Sequence, residues 1–359
     1  MPRANSTRAN SIDIAAAIWF QVGRLPALRT LGSAMRSILV VGMGASLGRE
    51  GAPKQTGAVI ANLLSDQVRL PDKQRRLLVA CGAGAGMDAA YGVPLGGALF
   101  ALEVLRGELA LRFVLPALMT SLIATGISWT FLLDLPTHSI RAYPGSVGIA
   151  AWAVLDAPIA GLVSVAYVRA VGWADRHRHE GGWRFLAPVL ALTLLGMVSI
   201  AFPQLVGNGR GVAQLAFTRR IAPCLLLKPL ATLLCFGSGT PGGLFTPSLA
   251  LGALLGGVLG IPWSHVWPGV PPGLFAVLGV GTVLAVTTQG PISTVVLIME
   301  PTGHARPSIV PMLLMVAIAT PAARTIEPRS IYDARLSDAE VLHRQRQRDP
   351  ARLGHAHAD

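Results

Sequence analysis

Glu50 stands in the run Gly48-Arg49-Glu50-Gly51-Ala52-Pro53, and this run is where the chain could do chemistry. Gly48, Gly51 and Pro53 are placed to stop one helix and start another. Amide N–H groups at a helix start, with the macrodipole behind them, attract an anion. Arg49 adds positive charge. A carboxylate in this setting competes for the anion's place. A fixed charge about 4 Å from a permeant anion costs on the order of 4 kcal/mol at an effective dielectric near 20. Glu50 would therefore block a pathway when ionised and free it when protonated or swung aside. The plainer alternative is that Arg49 and Glu50 pair at a membrane edge and only cap a helix. A second run, Gly239-Thr240-Pro241-Gly242-Gly243-Leu244-Phe245-Thr246-Pro247, offers a matching place. Pro247, Gly242 and Gly243 would free the amides of Leu244 and Phe245 for an anion, or else mark an ordinary break for helix packing.

The elements that must hold these runs lie in lipid. From Lys228 to Glu300 no Asp, Glu, Lys or Arg intervenes. Broken backbone at membrane depth is tolerated only where it is buried in protein or lines a polar cavity, and such breaks are where solute sites are built. Charged residues make up 13%, against about 25% in an average soluble domain, and the mean hydropathy is +0.54. Forty Gly and 26 Pro would suggest disorder in a polar chain, but here they accompany 52% hydrophobic residues. The net charge of +12 comes from short connectors (Lys73, Arg75 and Arg76; Arg176 and Arg178; Arg219 and Arg220) and from the tail between Arg324 and Arg352. That scatter fits cytoplasmic loops, not a nucleic-acid face. Cys81, Cys224 and Cys235 lie in apolar segments without CxxC spacing and read as packing residues. The N-terminus has no apolar core of the signal-peptide kind.

Phe113 to Leu133 and Phe185 to Gly209 are long enough to cross a bilayer, and Gly148 to Val168 crosses with Asp156 in its middle. The segments 77–105, 222–236, 246–261, 273–299 and 308–323 are shorter or interrupted, and predict half-helices and steep tilts. An internal repeat is visible. Pro94 and Glu103 enclose eight residues, and so do Pro291 and Glu300. Upstream of each pair stands one of the two broken runs. Two copies offset by about 195 residues predict an all-α polytopic fold of two inverted repeats, with the site at their interface.

At this point the chain resembles the CLC family of chloride channels and chloride/proton antiporters. The resemblance rests on GREGAP at 48–53, GSGTPGGLFTPSLALG at 237–252, the two Pro-x8-Glu helices and Ser330-Ile331-Tyr332-Asp333, in that order over 34–336. It implies a homodimer with one anion pathway per subunit and no cofactor beyond the transported chloride or similar small anion. It implies that Glu50 is the external gate. Arg49, Gly51, Gly243, Leu244 and Phe245 would then flank the anion, with the Leu244 and Phe245 amides on the central ion and the Tyr332 hydroxyl on its inner side. Taken alone, Tyr332 would read as an interfacial anchor.

Two departures matter. Antiporters of the family carry an acidic residue where this chain has Val104, next to Glu103, so an inner proton site looks absent. The family's first Gly-Ser-Gly-x-Pro motif, with its anion-binding serine, is not found near the start, where only Ser6 and Ser11 stand. The chain thus looks like an N-terminally shortened member. The expected organisation is an N-terminal remnant at 1–33 and a transport domain at 34–336. Its repeats cover about 34–135 and about 222–336, and a polar tail follows at 337–359.

The expected function is a passive, voltage- or pH-gated chloride channel, multi-pass in the cell (inner or plasma) membrane. The alternative is an antiporter with another inner relay. Glu103 and Glu300 read as helix caps or braces, Asp88 as a partner of local backbone, and His355, His357 and Asp359 as tail. No metal site is expected. Gly44-Ala45-Ser46-Leu47-Gly48 matches G-x-S-x-G, but a serine hydrolase needs a strand-turn-helix context and a His base. Here the motif reads as part of a Gly-rich helix, and His265 alone lies in an uncharged stretch. No enzymatic role is expected.

Overall fold

The computed structural model describes residues 14–131, 146–178, 181–209, 221–270, 272–302, 306–336 and 341. Among these residues there are helices and no strands. They are α1 (Ile14–Phe20), α2 (Ala27–Gly42), α3 (Gly51–Gln67), α4 (Asp72–Tyr91), α5 (Pro94–Phe100), α6 (Leu111–Trp129), α7 (Val147–Arg176), α8 (Trp183–Ala201), α9 (Ile221–Gly237), α10 (Phe245–Val266), α11 (Pro272–Thr288), α12 (Pro291–Met299) and α13 (Arg306–Ile326).

Several helices wear their apolar side outward. On α2, Leu28, Met35, Ile38 and Leu39 are exposed while Thr30, Ser33, Ala34 and Ser37 are buried. Lipid accepts the large side chains, and small residues let helices approach one another. Among the described residues, five helices are long and apolar enough to span a membrane. They differ in what surrounds them: only 11% of the apolar window of α8 is buried in protein, against 72% for α10. The helix that follows the Gly239–Pro247 run is therefore a core element, and α8 is peripheral.

The expected spans need adjustment. Phe185 to Gly209 ends early, because α8 stops at Ala201 and Pro203 opens a single 3-10 turn. The span from Gly148 extends to Arg176. The segments beginning at 246 and 308 are not half-helices, since α10 and Ser308–Ile326 of α13 each reach spanning length. The boundary expected at residue 34 falls inside α2. Before it, Ile18 and Trp19 of α1 pack with Val79, Ala83 and Leu105 in one apolar cluster, and the Trp19 indole donates to the Leu105 carbonyl at 3.0 Å.

Two copies of one design are legible in the packing. α3 crosses α4 where a side chain on Gly57 would strike the Gly82 carbonyl, and α10 crosses α11 where a side chain on Gly252 would strike that of Gly279. Each fourth element of the design begins after a left-handed residue. Gly92 (φ 69°) ends α4 before Pro94, and Gln289 (φ 58°) ends α11 before Pro291. Glycine takes that backbone freely. Gln289 is held there by Arg324, whose guanidinium donates to its side-chain and main-chain oxygens at 2.6 and 3.1 Å.

The copies also serve each other. Glu103 accepts from the amides of Ile292 and Ser293 at 3.2 and 2.6 Å, at the start of α12. Glu300 accepts from the amides of Leu95 and Gly96 at 3.0 and 2.8 Å, at the start of α5. Each glutamate thus satisfies orphan donors of the opposite repeat. Such reciprocity is what a two-fold relation between inverted repeats produces.

Candidate functional site

The two broken runs meet. Gly48 and Gly243 exchange backbone hydrogen bonds as an antiparallel bridge, Gly48 N–H to Gly243 O at 2.7 Å and Gly243 N–H to Gly48 O at 2.8 Å. This pairing sets the start of α3 beside the start of α10. Side chains on Gly48 or Gly243 would overlap the Glu50 carboxyl group, and one on Gly51 would press on the Gly243 amide. The glycines therefore make a slot for one carboxylate between the two chain breaks.

Glu50 fills that slot and is fully buried. Its Oε1 accepts from the Phe245 amide at 2.8 Å and the Thr246 amide at 3.4 Å, and its Oε2 accepts from the Thr246 hydroxyl at 2.7 Å. These are first-turn donors of α10, which no helical carbonyl can satisfy. The amides on the carboxylate belong to the opposite repeat. They are those of Phe245 and Thr246, because Leu244 is the N-cap residue and α10 proper begins at Phe245.

Arg49 does not pair with Glu50 among the described residues. Its guanidinium lies over the Tyr91 ring at 5.3 Å, and the Tyr91 hydroxyl is 3.0 Å from that of Thr246. Arg49 thus supplies positive charge beside the slot without occupying it.

Phe245 also belongs to an aromatic group. Its ring is 6.0 Å from Phe100, and Phe100 is 6.2 Å from Tyr332, both in edge-on contact. Tyr332 is half-buried and packs edge-on against Phe100 at the end of α5. Beyond Phe100 the chain runs through one π-helical turn, Ala101–Arg106. That turn commits Glu103 to the start of α12 and buries Val104 against Gly290.

Lys54 was not singled out by its sequence pattern. It lies one turn into α3, 6% exposed, with its ammonium 5.3 Å from the Phe100 centroid, 5.8 Å from that of Phe245 and 5.3 Å from that of Tyr332. Its Nζ is 3.5 Å from the Tyr332 hydroxyl oxygen. The signal was available, since an ionisable residue buried at membrane depth marks a solute or proton site by default.

Other expectations meet different surroundings. Asp88 faces Gly97 of α5, where any side chain would collide with it, so its neighbour is not local backbone. Gly44 to Gly48 is irregular chain between α2 and α3, not helix, and the Ser46 hydroxyl lies 3.4 Å from that of Thr232. The three cysteines are buried and unbridged. No cluster of three metal-binding side chains occurs among the described residues. Ser6, Ser11, His355, His357 and Asp359 lie outside them.

A family model described as voltage gated chloride channel matches residues 4–324. The voltage-gated ClC-type chloride channel ClcB of Citrobacter koseri is 32% identical over 326 residues, which is 84% of this chain and 75% of that protein. The H(+)/Cl(-) exchange transporter ClcA of Yersinia pestis bv. Antiqua is 31% identical over 330 residues, 86% of this chain and 67% of that protein. Among solved structures, a slow cyanobacterial Cl-/H+ antiporter superposes with a TM-score of 0.79 at 23% identity, covering 95% of this chain and 82% of that one. A CLC-type fluoride/proton antiporter does so at 0.76 and 26%, covering 90% and 80%.

Proposed function

Because the chain belongs to the voltage-gated chloride channel (CLC) family and is a multi-pass membrane protein of the CLC fold, we propose that it carries chloride through a pathway closed by Glu50, in exchange for protons. The observation that carries this reading is the Glu50 carboxylate on the Phe245 and Thr246 amides. A helix start that holds a carboxylate also holds a halide, so anion and carboxylate exclude each other there. When Glu50 takes a proton its hold on the amides weakens, and an incoming anion replaces it. Anion entry is in this way linked to protonation of one side chain.

The exchange reading now stands ahead of the passive channel expected from Val104. Its support is that a relative at 31% identity is named an exchange transporter, together with the 26%-identical fluoride/proton antiporter structure. The channel is the second reading. It is favoured by the aliphatic Val104 and by Glu103, whose carboxylate is bound to the start of α12. A relative at 32% identity is also named a channel. Leu244, Phe245 and Tyr332 line the inner part of the pathway, Arg49 flanks its outer end, and the working unit is a homodimer in the cell membrane.

The test is a reversal potential. Purified protein in liposomes with fixed chloride and pH gradients should drive protons uphill when chloride runs downhill. A reversal potential that follows chloride alone and ignores an imposed pH gradient would replace exchange by the channel. Absence of any chloride current would remove both.

A further inference from the structure

We infer that the Lys54 ammonium is a direct ligand of the transported anion and forms an inner site with the Tyr332 hydroxyl. This rests on the chloride-transport reading above and adds a residue to it. Lys54 follows Glu50 by four residues at the start of α3, so both side chains lie on one side of that helix. The Glu50 carboxylate is held on the amides of α10, and the Lys54 ammonium sits one helical turn along α3 from it, among Phe100, Phe245 and Tyr332. These three rings come from three separate parts of the chain: the end of α5, the start of α10 and the segment after α13. They converge on one charged atom. The ring faces attract the ammonium and offset part of its desolvation. The Lys54 nitrogen lies 3.5 Å from the phenolic oxygen, and that hydroxyl can itself donate to an anion.

A small monovalent anion would lie beside this pair, within reach of both the Lys54 nitrogen and the Tyr332 hydroxyl. Ammonium is a compact point charge with three donors, and it replaces water around a halide more effectively than amides alone. An anion leaving the Glu50 position thus meets the Lys54 side chain one helical turn along α3. The ligand class is a halide or another anion of that size. Bulky oxyanions would be excluded by the rings.

The experiment is equilibrium chloride binding by calorimetry to the purified full chain in detergent, for wild type, Lys54→Met and Lys54→Arg. Each variant is checked by size-exclusion profile and thermal unfolding. If Lys54 is a ligand, Lys54→Met binds chloride at least about ten-fold more weakly, while Lys54→Arg stays much closer to wild type. Equal or tighter binding by folded Lys54→Met overturns the inference and leaves the chloride-transport reading standing. A wild type that binds no chloride overturns that reading itself. Should Lys54→Met not fold, bromide-soaked crystals of the wild type decide: a bromide within about 4 Å of the Lys54 nitrogen supports the site. Bromide bound only elsewhere in the pathway rejects it.

Discussion

The Glu50 carboxylate accepts the Phe245 amide at 2.8 Å although 195 residues of chain separate them. One repeat supplies the acid and the other supplies the helix start that binds it. The contact exists because Gly48 and Gly243 pair side by side, where a side chain on either would overlap that carboxylate. In the reading proposed above, the Glu50 carboxylate and the transported anion compete for this one set of donors.

Glu50→Gln should raise chloride flux and remove most of its dependence on external pH. Wild-type flux should increase as external pH falls, because protonation frees the amides. Relief of only about 1.4 kcal/mol at the barrier is about ten-fold in rate. Chloride efflux from liposomes across a pH series is the measurement. A Gln variant with the wild-type pH profile would take Glu50 out of the mechanism.

Tyr332→Ala should weaken chloride binding and leave the fold intact. A hydrogen bond to a charged group is worth about 1.5–3 kcal/mol, which is on the order of ten-fold or more in affinity. Calorimetric titration with chloride reads it. Unchanged affinity would reduce Tyr332 to packing against Phe100.

Glu103→Gln and Glu300→Gln should destabilise the protein to similar extents, by about 1–2 kcal/mol each, since each removes a charged acceptor from two first-turn amides. Thermal unfolding in detergent compares them. A large loss in one and none in the other would break the equivalence of the repeats.

Gly57→Val and Gly252→Val should each abolish folded protein, because the new side chains meet the backbone of a crossing helix at Gly82 and Gly279. Backbone cannot step aside as a flexible side chain can. Recovery of monodisperse protein from either variant would contradict the crossings.

Glu327, just past the end of α13, gives a pH test outside the membrane-spanning segments. Burial pushes its carboxyl up, but hydrogen bonds from Arg329 and Arg169 outweigh burial and hold it below the ordinary 4.5. A folded value below the unfolded one contributes stability above the ordinary range and loses it as pH falls through the folded value. The advantage of wild type over Glu327→Gln in thermal unfolding should be full at neutral pH and shrink below about 4.5. An advantage constant across that window would remove the pairing from the account.

Much of this was legible in the chain itself. A charge-free stretch between Lys228 and Glu300, interrupted by Gly and Pro, can persist only as broken helices sheltered in protein within lipid. The twin Pro-x8-Glu spacings marked two repeats, and Glu50 among helix-breaking residues marked an acid where anions are favoured. These are local properties, set by transfer energies and by backbone geometry over a few residues. Which amides face which acid is not local. The donors to Glu50 proved to be those of Phe245 and Thr246, fixed by a glycine bridge between the repeats. Lys54 looks on paper like one more basic residue, and becomes the charge at the centre of three rings only when α5, α10 and the segment at Tyr332 close around it. Glu103 and Val104 are neighbours in sequence, yet one is bound to the opposite repeat and the other packs on Gly290. Residue types and spacing determined the medium, the repeats and the acid. Only tertiary packing decided the partners, because the distance between two side chains far apart in sequence is set by how whole helices cross.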